Sequence, residues 1–281
     1  MVKMGNVWDR TMAVLNGRGG MLAGMAILTL FVPPVIAAAH SAYATPGGGT
    51  AAIGALLALV TAIAALWGQL FIIAASSDQD VDRATALRQA RSRLLPALLL
   101  AVVLAVIMTV VILPAIVLLS FAGFDFVAMS RGGNPGSIAP GMALIASLYV
   151  VVILIGLLFV GARLLPLYAV LLHERLGLGA ISRCWRLTRR HTWRLVGVVL
   201  LFLVVLLIAT TAAQLVGGLL VRLILGGDAL ATVAFIAAII AQAVSTALTL
   251  IAIIFSAQLY VALVARERML HERATQARAA A

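Results

Sequence analysis

An all-α membrane protein with six transmembrane helices is the fold this sequence predicts, and three observations predict it. Hydrophobic residues make up 64% of the 281 and charged residues only 10%, with a mean hydropathy of +1.18, whereas a soluble domain carries roughly 25% charged residues. Six apolar stretches, 19–42, 51–75, 95–122, 141–165, 196–225 and 229–264, each reach the roughly 20 residues needed to cross a hydrocarbon core. Eighteen of the 20 basic residues fall on one side of those stretches, leaving only Arg131 and Arg222 opposite. Hydrocarbon offers no partner to an open N–H or C=O, so the spans must be helical.

Each element follows from its local composition. Lys3, Arg10 and Arg18 precede span one, and Arg83, Arg88, Arg91 and Arg93 separate spans two and three. The junction of spans four and five is the richest in arginine, and Arg266, Arg268, Arg273 and Arg278 follow span six. The positive-inside rule then places both termini in the cytoplasm. Pro33, Pro34 and Pro114 read as kinks within spans. The outer connections are a Gly-rich turn over 43–50, a longer one over 123–140, and Leu225-Gly226-Gly227-Asp228; all are too short for a domain. Asp125 reads as a turn residue. The apolar run ending at Ala42-Tyr43-Ala44 exceeds the 7–15 residues of a signal peptide, so it is expected to stay as a span. The tail over 266–281 is expected to extend the last helix and then fray.

A pattern recurs along the chain. Asp9-Arg10, Arg18 and Leu22 have the spacing of Asp82-Arg83, Arg91 and Leu95, and Gln69-Leu70-Phe71-Ile72 matches Gln258-Leu259-Tyr260-Val261. A single polytopic domain over 1–281 is therefore expected to consist of three interfacial-helix-plus-hairpin units, 1–76, 77–173 and 174–265, with the tail beyond. The interfacial helices are expected around 7–18, 80–93 and 177–194.

Chemistry-bearing residues are few. His40, His173, His191 and His271 are scattered, and no phosphate loop, nucleophile elbow or intramembrane carboxylate pair is present, so neither an enzyme nor a cofactor is expected. Cys184 stands alone and reads as a small buried hydrophobe. The segment 177–194 carries the most local information. On one helix Arg183, Arg186, Arg190 and Arg194 would share a face, with Trp185 and Trp193 at the headgroup boundary. The plainer reading is topogenic charge; the sharper one is binding of anionic lipid headgroups or phosphate. The charge distribution points away from nucleic acid. In span six Gln242, Ser245, Thr246 and Thr249 form a polar stripe, read first as hydrogen-bonded helix packing with Thr210, Thr211 and Gln214 of span five as a counterpart. Arg163 is expected to end span four and snorkel, with Leu164–Leu172 along the inner interface; a pairing with Glu174 is the alternative.

The run Leu171-Leu172-His173-Glu174-Arg175-Leu176-Gly177-Leu178-Gly179-Ala180-Ile181, followed by Ser182-Arg183-Cys184-Trp185-Arg186-Leu187-Thr188 and Trp193-Arg194, resembles the membrane region of the glycerophosphoryl diester phosphodiesterase membrane-domain family. Cys184 stands where that family usually has serine. The resemblance implies a bacterial membrane protein. It does not imply phosphodiesterase activity, because a catalytic barrel needs about 250 residues of its own. Excess of Arg over Lys and the Ala-rich composition also point to a bacterial inner membrane. The expected role is a non-catalytic, lipid-associated scaffold or accessory subunit; a small transporter or permease-like protein moving an amphiphile or lipid is the alternative.

Overall fold

The computed structural model describes residues 4–44, 48–78, 80–125, 128–129, 134, 136, 140–189, 192–225 and 230–279. Helices account for nearly all of them, and no strand occurs among them. In chain order the elements are α1 (Met4–Ala26), a π-helical segment (Ile27–Phe31), α2 (Val32–Tyr43), α3 (Gly48–Ser77), α4 (Arg83–Phe121), α5 (Pro140–Leu164), α6 (Leu167–Glu174), α7 (Gly179–Thr188), α8 (Thr192–Leu225) and α9 (Leu230–Ala279). They form six helical stretches long and apolar enough to span a membrane.

The hairpins close into a ring. Within the hairpins α2 packs on α3, α4 on α5 and α8 on α9. Between them α3 meets α4, α5 meets α8, and α9 returns to α1 and α2. The core lies toward the arginine-rich end, where Leu70–Ala75 of α3, Leu167 and Ala169–Leu172 of α6, and Ile253, Ile254 and Ala257 of α9 share one cluster. The most apolar window of α9 is 56% buried, whereas those of α4, α5 and α8 are each 6% buried. Thus α9 is the packed strut, and the other three present their apolar faces to lipid.

Two of the three expected interfacial helices are not separate. Residues 7–18 are part of α1, and the charged residues from Arg83 onward are the first turns of α4, N-capped by Asp82. In α1 the intervening glycines weaken the helix without stopping it, and α4 runs on through Pro96, which has no N–H to offer the carbonyl four residues back. The Asp82 carboxyl accepts from the Thr85 backbone N–H at 3.0 Å, and hydrogen bonding from the Thr85 side chain first, then its backbone, holds it below the usual carboxylate range. The tail extends the last helix, as expected: α9 is helical through Ala279. Asp125 is a turn acceptor, bonded by Ala128 N–H at 2.9 Å. Arg131, most of 123–140 and the Gly226-Gly227-Asp228 turn lie outside the described residues.

The polar stripe of α9 has a partner that local sequence does not show. Pro34 has no N–H to offer the carbonyl four residues back, and that carbonyl belongs to Leu30, inside the π segment. The Gln242 amide donates to it at 2.9 Å and the Thr246 hydroxyl at 3.4 Å. Thr210 bonds its own helix, and Thr211 and Gln214 are exposed, so span five supplies no counterpart. The variant Q242L/T246V leaves that carbonyl without these donors at membrane depth. A loss of about 1–2 kcal/mol is expected by denaturant titration in mixed micelles, with Thr246→Val alone near neutral.

Arg18 closes the core end of the first hairpin. Its guanidinium donates to the carbonyls of Ala75, Asp78 and Val81 at 3.0, 3.2 and 2.8 Å. These include the orphan acceptors at the end of α3, where a positive charge also meets the helix dipole favourably.

Candidate functional site at the basic end

Span four ends as α5 at Leu164, and Pro166 starts α6 after a turn. The expectation for 164–172 is corrected: Leu167, Ala169, Val170, Leu171 and Leu172 lie in the core, not along the interface. α6 stops at Glu174 because Arg175 takes a left-handed conformation, φ 58°, followed by Gly177 at φ 55°. That reversal brings α7 back across α6 and sets Glu174 opposite Arg183.

Arg183 is the hub. Its Nε donates to Glu174 Oε2 at 2.8 Å, while its two terminal nitrogens grip both carboxylate oxygens of Glu267, one at 2.8 Å. Three elements, α6, α7 and α9, are thereby fastened at one guanidinium, the two-pronged geometry that distinguishes arginine from lysine. Its hydrogen bonds to Glu267, and then to Glu174, hold the guanidinium well above its ordinary pKa. Tyr260 donates to Glu174 Oε1 at 3.4 Å, and His173 stacks on the Tyr260 ring with centroids 5.4 Å apart. A cavity of about 520 Å³ opens beside the cluster, bordered also by Arg268 and His271.

The arginine face expected from sequence is therefore divided. Arg183 is held by carboxylates, and α7 ends at Thr188 while α8 begins at Thr192, so Arg183 and Arg194 are not on one continuous helix. Arg186 and Arg194 are exposed; Arg190 and His191 lie outside the described residues. Trp193 is 81% exposed, placed as an interface anchor would be. Trp185 instead covers Arg163, whose guanidinium carbon lies 4.1 Å from the Trp185 ring and 4.9 Å from that of Phe159. Such cation–π contacts contribute about 0.5–2 kcal/mol depending on desolvation. Arg163 Nε donates to Thr192 Oγ1 at 3.2 Å, so its partners are aromatic and hydroxyl groups and not Glu174. Cys184 is buried, and burial pushes its thiol up to about 12, leaving it unreactive at neutral pH.

Sequence reasoning passed over Glu267 and left Tyr260 as a repeat marker, since the roles of both depend on contacts with residues more than 80 positions away. It also left Gln69 as a repeat marker. Gln69 and Thr249 border two cavities at membrane depth, of about 300 and 500 Å³. The Ser245 hydroxyl makes no hydrogen bond among the described residues. No group of three or more His, Cys, Asp or Glu with metal-binding geometry occurs among the described residues.

Fold and site together define a multi-pass α-helical membrane protein, fastened at its arginine-rich end by ion pairs and looser toward the other. Residues 5–265 match the sequence model of the family described as Domain of unknown function (DUF7847), and the chain belongs to that family. No curated protein and no solved structure matches it.

Proposed function

We propose that this chain is a non-catalytic, lipid-associated scaffold or accessory subunit of the bacterial cytoplasmic membrane, with both termini in the cytoplasm and three related hairpin units. The observation that carries the reading is the Arg183 junction, which makes the basic end a fixed platform instead of an open reaction centre. Exposed Arg186 and Arg194, with Trp193 beside them, then meet anionic headgroups at the membrane surface, each arginine contributing about 1 kcal/mol of attraction. The kinship with glycerophosphoryl diester phosphodiesterase membrane domains remains part of this proposal. A second reading, a small transporter moving an amphiphile, is favoured by the two cavities at membrane depth.

Two measurements test the leading reading. Orientation follows from reporter fusions: a fusion at Asn134 is expected to report externally, and a cytoplasmic signal overturns the topology. Lipid association follows from the phosphatidylglycerol retained on extraction from mixed nanodiscs. R186Q/R190Q/R194Q is expected to lose several-fold more than the tail variant R268Q/R273Q/R278Q, with the difference shrinking as salt shortens the screening length from about 10 Å at 0.1 M. Equal losses reduce the first set to a topogenic role.

A further inference from the structure

The two membrane-depth cavities share a partition that the proposed headgroup association leaves unused. The smaller lies between α8 and α9, against Val198, Phe202, Leu206 and Ala252. The larger lies among α3, α4 and α9, against Ile63, Leu98, Ala101 and Val102. Gln69, Thr249 and Ile253 border both. Gln69 stands about two turns along α3 from Ser76, whose carbonyl accepts from Gln258 in the packed core. The partition is therefore within the apolar part of the bundle.

Neither the Gln69 amide group nor the Thr249 hydroxyl makes a hydrogen bond to any described residue. Their polar atoms are not sealed into the packing either, since no buried side-chain N or O among the described residues lacks a partner. Both therefore face open space in a region without bulk water, where an amide and a hydroxyl gain from any acceptor brought to them. This separates them from Gln242, which is satisfied by the Leu30 carbonyl, and from Thr246, whose hydroxyl bonds the Gln242 carbonyl at 2.8 Å. No charged side chain borders either cavity.

We propose that the paired cavities hold one uncharged two-chain glycerolipid, a diacylglycerol, with an acyl chain in each cavity and its ester carbonyls accepting hydrogen bonds from Gln69 and Thr249. Two apolar compartments meeting at two donors match a molecule whose two apolar chains meet at two acceptors. A single-chain amphiphile leaves one compartment unfilled. A phospholipid brings a phosphate to a partition with no cation, and an unpaired charge in such surroundings is strongly disfavoured. Both volumes fall in the about 300–1,000 Å³ range of ligand clefts. The proposal depends on membrane insertion but not on the surface arginines, so either can fail alone.

The test uses the full chain in phosphatidylcholine nanodiscs and a diacylglycerol carrying a diazirine in its acyl chain. Photolysis and peptide mapping are expected to place label on 59–66, 198–206 and 248–255. Q69L/T249V should lower that labelling about tenfold, the combined effect of two hydrogen bonds, while its thermal midpoint stays at or above that of the parent. Ala252→Phe, which fills the smaller cavity, should abolish label on 198–206. Three results each overturn the proposal: a phosphatidylglycerol with the same chains labelling these segments as strongly, label spread evenly over the lipid-facing surfaces of α4, α5 and α8, or labelling unchanged by both variants.

Discussion

Replacing Arg183 with Met is expected to destabilise the protein more than any other single surface-end substitution, by about 2–3 kcal/mol. The side chain is 19% exposed, and removing it strands the carboxylates of Glu174 and Glu267, which are 21% and 34% exposed. Hydrogen bonds to charged partners contribute about 1.5–3 kcal/mol, and partial solvent access keeps the loss below the 3–5 kcal/mol of a fully buried pair. Glu267→Gln retains hydrogen-bonding capacity but loses the charge, so a smaller loss is expected, and R183M/E267Q should be less than additive. The thermal midpoint in a fixed detergent, followed by tryptophan fluorescence, measures all three. A midpoint for Arg183→Met within error of the parent shows that the junction does not hold the basic end together.

Gly68→Ala is expected to be comparably severe for a steric reason. A Cβ at position 68 would lie 1.9 Å from Thr29 Oγ1 and 2.6 Å from Thr29 Cβ, so α3 and the π segment must part by more than an ångström. Overpacking of this kind costs about 1–3 kcal/mol. It also displaces Leu30 from Gln242, because Leu30 follows Thr29 in the same segment. G68A/T29A removes the hydroxyl contact but not the Cβ contact, so partial recovery is expected, and a parental midpoint for Gly68→Ala alone would refute the close approach. Small residues at helix crossings in membranes commonly permit such contact.

These two sites differ in how far sequence exposes them. Hydropathy and charge placement identify the six spans, since lipid imposes nearly uniform apolarity and helicity on each. Pro33-Pro34 likewise announces a disturbed helix, and with it an unmatched carbonyl upstream. The donor is another matter: Gln242 lies 212 positions from Leu30, and no local pattern selects it over Gln69 or Gln214. The arginine segment shows the opposite error. Its spacing suits one helix through 183–194, yet α7 ends at Thr188 and α8 begins at Thr192; the Thr188 hydroxyl bonds back to the Cys184 carbonyl within α7, and the Thr192 hydroxyl reaches across to the Thr188 carbonyl. Thr188 also reaches the Arg163 carbonyl at 3.3 Å, a tertiary contact that spacing does not show. Charge alone likewise does not show that Arg183 faces Glu267 while Arg186 faces solvent.

The unequal burial of the spans bears on the order of assembly. α4, α5 and α8 contact mostly lipid, so each can partition into the bilayer as it leaves the ribosome without waiting for a neighbour. α9 is different, because over half its apolar window is surrounded by protein, and it is translated after all the helices it must touch. Until it arrives, Leu30 has no donor from Gln242, and Arg183 has Glu174 but not Glu267. The nascent protein thus has α3 against α4 and α5 against α8 but an open ring, and synthesis of the sixth span closes it. Quality-control proteases acting in the membrane would meet their most vulnerable substrate in that interval.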